Sequence, residues 1–149
     1  MDSGRIELLR RMAIFGGIRD DILELVLGIS RTVSVTHGAF FFREGDPGES
    51  VFVLEQGKVA VMKAKQGEQC LIRHLGAGEC FGEMALMDYF PRSASILAVE
   101  DCVAIEISAS CLHRIYETDV EQFALIEMNM GREVSRRLRE ADRRLSGSA

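Results

Sequence analysis

From Thr32 to Ile107 apolar and polar positions alternate in short runs, interrupted by glycine-bearing turns roughly every ten residues. Val33 and Val35 alternate with Ser34 and Thr36, His37-Gly38 turns the chain, and Ala39 to Phe42 makes a second strand. Arg43-Glu44-Gly45-Asp46-Pro47-Gly48-Glu49 is a loop of structure breakers. Val51 to Glu55 predicts a strand, Gln56-Gly57 a tight turn and Lys58 to Lys63 the return half of a hairpin. Gln66-Gly67-Glu68 turns into Cys70 to Leu75. Ala94 to Val99 and Cys102 to Ile107 form two last strands around Glu100-Asp101. Short strands at this spacing predict an antiparallel sandwich or barrel, here a jelly roll (double-stranded β-helix).

Both flanks carry the helical period instead. Ile6, Leu8, Leu9 and Met12 predict a short amphipathic helix over Arg5 to Met12, broken by Ile14-Phe15-Gly16-Gly17. A second helix starts at Arg19 or Asp20, with Asp20, Asp21 and Glu24 near its positive end. After the strands, Ser108 is placed to cap a helix through Cys111, Leu112, Ile115 and Tyr116. Thr118 or Asp119 caps a longer helix reaching about Leu145. Its stripe of Phe123, Ile126, Met130, Val134, Leu138, Ala141 and Leu145 follows steps of three and four. Gly131 interrupts that helix at a cost of about 1 kcal/mol against alanine, and marks a bend or a close contact. The first half of the stripe is expected to pack on the sheet. For the second half, a partner helix from another subunit is an equal expectation.

Composition sharpens this outline. A chain of 149 residues with 47% apolar content can bury a real core as one domain. The expected layout is a helical lead over about 1–30, a jelly roll over 31–108 and C-terminal helices over 109–145. No apolar run approaches the ~18 residues of a membrane span, and Met1-Asp2-Ser3-Gly4-Arg5 does not read as a signal peptide. Cys70, Cys80, Cys102 and Cys111 have no metal-ligand spacing, and reduced thiols in a cytoplasmic protein are expected. The net charge is −5, yet residues 131–149 hold six arginines against three acids and carry +3, leaving −8 elsewhere. The acids are interleaved and no aromatic residue accompanies the arginines, so this helix is read as a solvated, internally paired face and not as a nucleic-acid contact.

The chemistry concentrates in Phe81 to Ile96, FGEMALMDYFPRSASI. Gly82 and Glu83 open a short helical turn through Met84, Ala85, Leu86 and Met87, whose first N–H groups suit an anion. Tyr89-Phe90-Pro91 ends the turn, because the residue before proline leaves the helical region. Arg92 and Ser93 follow. A guanidinium, a hydroxyl and free N–H groups suit a phosphate, while Glu83 would repel one unless it met a sugar hydroxyl. The segment therefore reads as a site for a sugar phosphate or nucleotide.

These residues closely resemble the phosphate-binding cassette of cyclic-nucleotide-binding domains, found in catabolite-activator-type regulators, kinase regulatory subunits and nucleotide-gated channels. Phe81-Gly82-Glu83-Met84-Ala85-Leu86 and Pro91-Arg92-Ser93-Ala94-Ser95 carry the likeness, and REGDPGESVFVLEQGKVAV extends it over the earlier strands. The resemblance implies that Arg92 binds the cyclic phosphate and Glu83 the ribose 2′-hydroxyl. Ser93 and backbone N–H groups near Ala85 complete the cradle. It also implies that the long C-terminal helix moves over the base, with Arg137 reaching Glu83 and Asp142 at a base-reading position. Ser93, where guanine-selective members often carry threonine, tilts the expectation to cyclic AMP over cyclic GMP.

Other classes fit less well. The residues after the long helix, Ser146-Gly147-Ser148-Ala149, hold no helix-turn-helix, so a stand-alone sensor is expected unless the chain is a piece of something longer. His37, His74 and His113 are scattered, against a metal site. Ser93 and Ser95 have no histidine nearby in sequence, against a hydrolase. The reading is a regulatory module without catalysis that binds a nucleotide and acts through an unknown effector protein or a homodimer of its C-terminal helix. The alternative is a partner-binding jelly roll with a vestigial site.

Overall fold

The computed structural model describes residues 3–86 and 90–147. Helix α1 spans Ser3–Arg10, a single 3-10 turn follows at Ala13–Phe15, and α2 spans Asp20–Ile29. Eight strands come next: β1 Arg31–Val35, β2 Phe40–Phe42, β3 Ser50–Gln56, β4 Lys58–Lys65, β5 Glu68–Gly76, β6 Cys80–Phe81, β7 Ser95–Ala98 and β8 Cys102–Ser108. A 3-10 turn at Glu83–Leu86 lies between β6 and β7. Helices α3, Ala109–Thr118, and α4, Val120–Gly147, close the order.

The strands form two antiparallel sheets of four, ordered β1-β8-β3-β6 and β2-β7-β4-β5. The jelly roll is thus mainly β, as expected, but it is open where a barrel was foreseen. Strands β2 and β6 have only three and two residues, too few to carry a hydrogen-bonded ladder from one sheet to the other.

Strand β3 explains the layering. Its run Val51-Phe52-Val53-Leu54 is apolar at every position because both faces are covered. Val51 and Val53 join Ile105 and Ile107 of β8 in a core against the helices. Phe52 and Leu54 point the other way, into a core with Val59, Leu75, Phe81, Ile96 and Ala98 between the sheets.

Helix α4 has two different halves. Ile126 and Met130 are fully buried, each worth about 1.5–3 kcal/mol of apolar burial. Asn129 donates its amide to the Ile14 and Gly16 carbonyls at 3.1 and 2.9 Å, pinning the helix to the N-terminal turn. Past Gly131 no described side chain is buried, and Leu138 is 62% exposed. The expected stripe therefore packs on the body only in its first half. Gly131 makes neither a close contact nor a break, since nothing would meet a Cβ there and the helix runs on through it. Asp119 caps α4 by accepting from the Gln122 N–H at 3.1 Å. Ser108 is the residue before α3 but makes no cap bond, its hydroxyl pairing with Ser110 at 2.7 Å instead.

Candidate functional site

A cavity of about 380 Å³ opens on the second sheet, lined by Phe42, Val61, Arg73, Leu75, Cys80 to Glu83, Phe90 to Ala94, Ile96 and Arg137. Its floor is apolar because Val61, Leu75 and Ile96 share the inner phase of their strands. Its rim is charged.

Arg92 is the strongest feature. The segment leading into β7 is clasped by the breaker loop. The Arg92 N–H donates to the Asp46 carbonyl at 2.8 Å, and the Gly45 N–H donates to the Arg92 carbonyl at 2.8 Å. The Glu44 N–H donates to Ser95 Oγ at 2.8 Å. This drives the arginine side chain inward, where it is 8% exposed. Nη1 donates to the carbonyls of Ser50 and Gly82 at 3.0 and 3.3 Å, and the guanidinium lies 4.0 Å over the Phe42 ring. Two glycines make the room. A Cβ on Gly48 would stand 2.4 Å from Arg92 Nε, and one on Gly82 2.7 Å from Nη1, with Gly82 also at a φ of +85°. Arg92 Nε is buried and bonds to no described residue. Burial presses the pKa of the guanidinium down, while the charges of Glu106 and Asp46 oppose that shift. Glu106 acts from β8, where its carboxylate accepts from Ser50 Oγ at 2.7 Å.

Glu83 is 5% exposed and engages both carboxylate oxygens. Arg137 Nη1 of α4 donates to Oε1, and the Cys80 thiol donates to Oε2 at 3.5 Å. Burial works to lower the Arg137 pKa, but Glu83, Cys80 and Glu133 together raise it. Burial, with the Glu83 carboxylate adjacent, pushes the Cys80 thiol up to about 12. It is therefore a neutral donor.

Of the residues singled out in the sequence, Gly82, Glu83, Arg92, Ser93 and Arg137 meet in the cavity lining. Met84 and Ala85 contribute the backbone of the 3-10 turn. Met87, Asp88 and Tyr89 lie outside the described residues. Asp142 is exposed on α4 and outside the lining. Sequence reasoning missed Phe42, Val61, Cys80, Phe90 and Arg73. Arg73 shares the face of Leu75, but a bulge in the pairing of β4 with β5 turns Leu71 to the other face, 52% exposed, so no regular alternation in the sequence points to Arg73.

Comparison with known proteins adds independent findings. The family model described as cyclic nucleotide-binding domain matches residues 32–119. The chain is 32% identical over 130 residues to the cyclic AMP receptor protein of Thermus thermophilus, covering 87% of this chain and 58% of that one. It is 35% identical over 98 residues to human cGMP-dependent protein kinase 2, covering 64% of this chain and 13% of the kinase. The chain thus spans well under two thirds of these relatives. Among solved structures, Thermus thermophilus catabolite activator protein superposes with a TM-score of 0.80 at 30% identity, over 91% of this chain and 62% of that one. A cyclic nucleotide-binding domain from Methylobacillus flagellatus shares the fold at a TM-score of 0.85 and 21% identity, over 99% of this chain and 86% of that one.

Proposed function

Because the chain belongs to the cyclic nucleotide-binding domain family, we propose that it is a regulatory sensor that binds a cyclic purine mononucleotide in the cavity and signals through α4. The observation that carries this reading is Arg92. A buried charged donor left unpaired costs on the order of 1–3 kcal/mol or more, and Arg92 Nε is such a donor, on a side chain that lines the cavity. A cyclic phosphate satisfies it and supplies the negative charge that burial denies the guanidinium.

Glu83 takes a ribose hydroxyl. Both its oxygens are already engaged, so an arriving hydroxyl shares or displaces the Arg137 and Cys80 bonds. Occupancy of the cavity is thereby felt by α4, which moves only as far as the nucleotide binds one helix position better than the other. Ser93 stands at the phosphate end beside Arg92 and supplies a hydroxyl. The adenine preference expected from the sequence leaned on Ser93, while Asp142, expected at a base-reading position, stands outside the cavity lining.

The reading is of one domain that performs no chemistry on its ligand. The exposed half of α4 around Leu138 is the face a second copy of the chain would cover in a homodimer, or an effector protein in its place. Four free cysteines suit a reducing cytoplasm.

Titration calorimetry of the wild-type chain and Arg92→Ala with cyclic AMP and cyclic GMP tests the assignment. The wild type should bind at least one of them, and the variant should lose roughly tenfold to more than a hundredfold in affinity while its circular dichroism is kept. Wild-type protein that binds neither, or a variant with unchanged affinity, overturns it.

A further inference from the structure

A row of paired residues on the first sheet carries a negative charge toward Arg92. Arg31 of β1 stands opposite Glu106 of β8, and Glu106 opposite Phe52 of β3. Residues paired in this way share a face. Glu106 therefore points between the sheets beside Phe52, whose ring centre lies 5.9 Å from the Arg92 guanidinium. Glu106 is the stronger of two negative charges acting on Arg92, Asp46 being the other, yet neither carboxylate bonds to it. The Asp46 carboxylate accepts from the Arg43 N–H at 2.9 Å. Both oxygens of Glu106 are engaged as well. Oε2 accepts from the hydroxyl of buried Ser50 at 2.7 Å, and Oε1 meets the Arg31 guanidinium at 3.1 Å. The Ser50 carbonyl in turn accepts from Arg92 Nη1 at 3.0 Å. One serine thus stands between a carboxylate and a guanidinium whose attraction is strong where water is excluded.

We propose that Ser50 is a positioning residue for the phosphate seat: its hydroxyl, with Arg31 on the other oxygen, holds Glu106 off Arg92 and keeps the guanidinium free for the nucleotide. Glu106 is then a rival of the phosphate built into the fold. Without the Ser50 hydroxyl, Oε2 loses its donor, and Arg92, with Nε unpaired, is the cation it turns to. An internal ion pair there competes with the phosphate for the same guanidinium. Affinity falls for a cyclic nucleotide whatever its base. Neutralising Glu106 removes the rival, so the effects of the two substitutions do not add.

The inference rests on the nucleotide reading above, and the two fail differently. Wild type, Ser50→Ala, Glu106→Gln and the double variant are titrated with cyclic AMP and cyclic GMP, with folding checked by circular dichroism. Ser50→Ala should weaken both nucleotides about tenfold, the scale of one charge-assisted bond. Glu106→Gln should bind both at least as tightly as the wild type. The double variant should return to within about threefold of Glu106→Gln, a rescue that a merely structural serine would not allow. Arg31→Ala, a surface change, serves if Ser50→Ala does not fold. It should weaken both nucleotides about threefold in the wild type and leave them unchanged in the Glu106→Gln background. Unchanged affinity in Ser50→Ala, or a loss that persists undiminished in the double variant, overturns the inference. So does tenfold weaker binding by Glu106→Gln, which would make the carboxylate a support of Arg92 and not its rival. If the wild type binds neither nucleotide, the nucleotide reading itself falls, and this role of Ser50 with it.

Discussion

Arg137 and Glu83, 54 residues apart in sequence, form an ion pair that joins the outer half of α4 to the wall of the cavity. The helix beyond Met130 buries no described side chain, so this bond matters more there than it would in a packed helix. Hydrogen bonds to charged groups contribute about 1.5–3 kcal/mol. Arg137→Ala is expected to leave the body of the protein folded while speeding amide exchange in peptides from 131–147 about tenfold. The same variant should blunt the change in exchange that a nucleotide produces there. Identical exchange in wild type and variant would refute the role of this pair as the link.

Gly48 offers a test that separates binding from stability. A Cβ at that position would stand 2.4 Å from Arg92 Nε, against the working end of a flexible side chain. Gly48→Ala should therefore displace the guanidinium at a cost to the fold of about 1–3 kcal/mol, the usual range for overpacking a buried site. Nucleotide affinity should fall about tenfold or more, because the donor geometry facing the phosphate is lost. Chemical denaturation and calorimetry on the same preparation check both halves. A large loss of stability with unchanged affinity would show that the glycine serves only the loop.

The contrast between Arg92 and Gly48 marks what was legible in the sequence. Arg92 and Glu83 stand out because a local segment carries them together, and the strands stand out because period two persists between glycine turns. Gly48, Ser50 and Glu106 could not be read this way. They reach Arg92 only through the pairing of β3 with β8 and through the clasp of the 43–46 loop on the segment before β7. Arg73 was not readable as part of an apolar face, because a bulge between it and Leu71 breaks the period of β5, and its place opposite Val61 comes from strand register, which one sequence does not supply. The two-residue strand β6 was passed over because it is too short to show any period. Asp142 was placed near the base by likeness to catabolite-activator-type regulators. In this structure α4 carries it on an exposed face.

Gly131 supports a prediction of the opposite sign. It sits within α4 with nothing near enough to meet an added Cβ. Replacing a helical glycine by alanine gains about 0.5–1 kcal/mol, largely by restricting the unfolded chain. Gly131→Ala should raise the thermal midpoint by a few degrees. If signalling requires the outer half of the helix to bend at this point, the variant should also lose the nucleotide-dependent change in exchange over 131–147. A stabilised variant with an intact response would place the movement elsewhere along the helix.

The buried thiols set a pH limit whose direction can be derived. Burial pushes Cys80 up to about 12 from 9.0, helped by the Glu83 charge. It pushes Cys111 up to about 12 as well, with Arg114 opposing. Below pH 9 both thiols keep their protons in the folded and unfolded chain alike, and their contribution is fully present. Between about 9 and 12 the unfolded chain releases protons that the folded chain retains, so stability falls as pH rises. Each thiol contributes at most about 1.4 kcal/mol per pH unit in that window. Urea unfolding at pH 8.5 and 10.5 should show the wild type losing more stability than the double variant Cys80→Ala, Cys111→Ala. Lysines and tyrosines titrate in both proteins, so the difference between the two slopes isolates the thiols. Equal slopes would mean that neither thiol is held protonated by its burial.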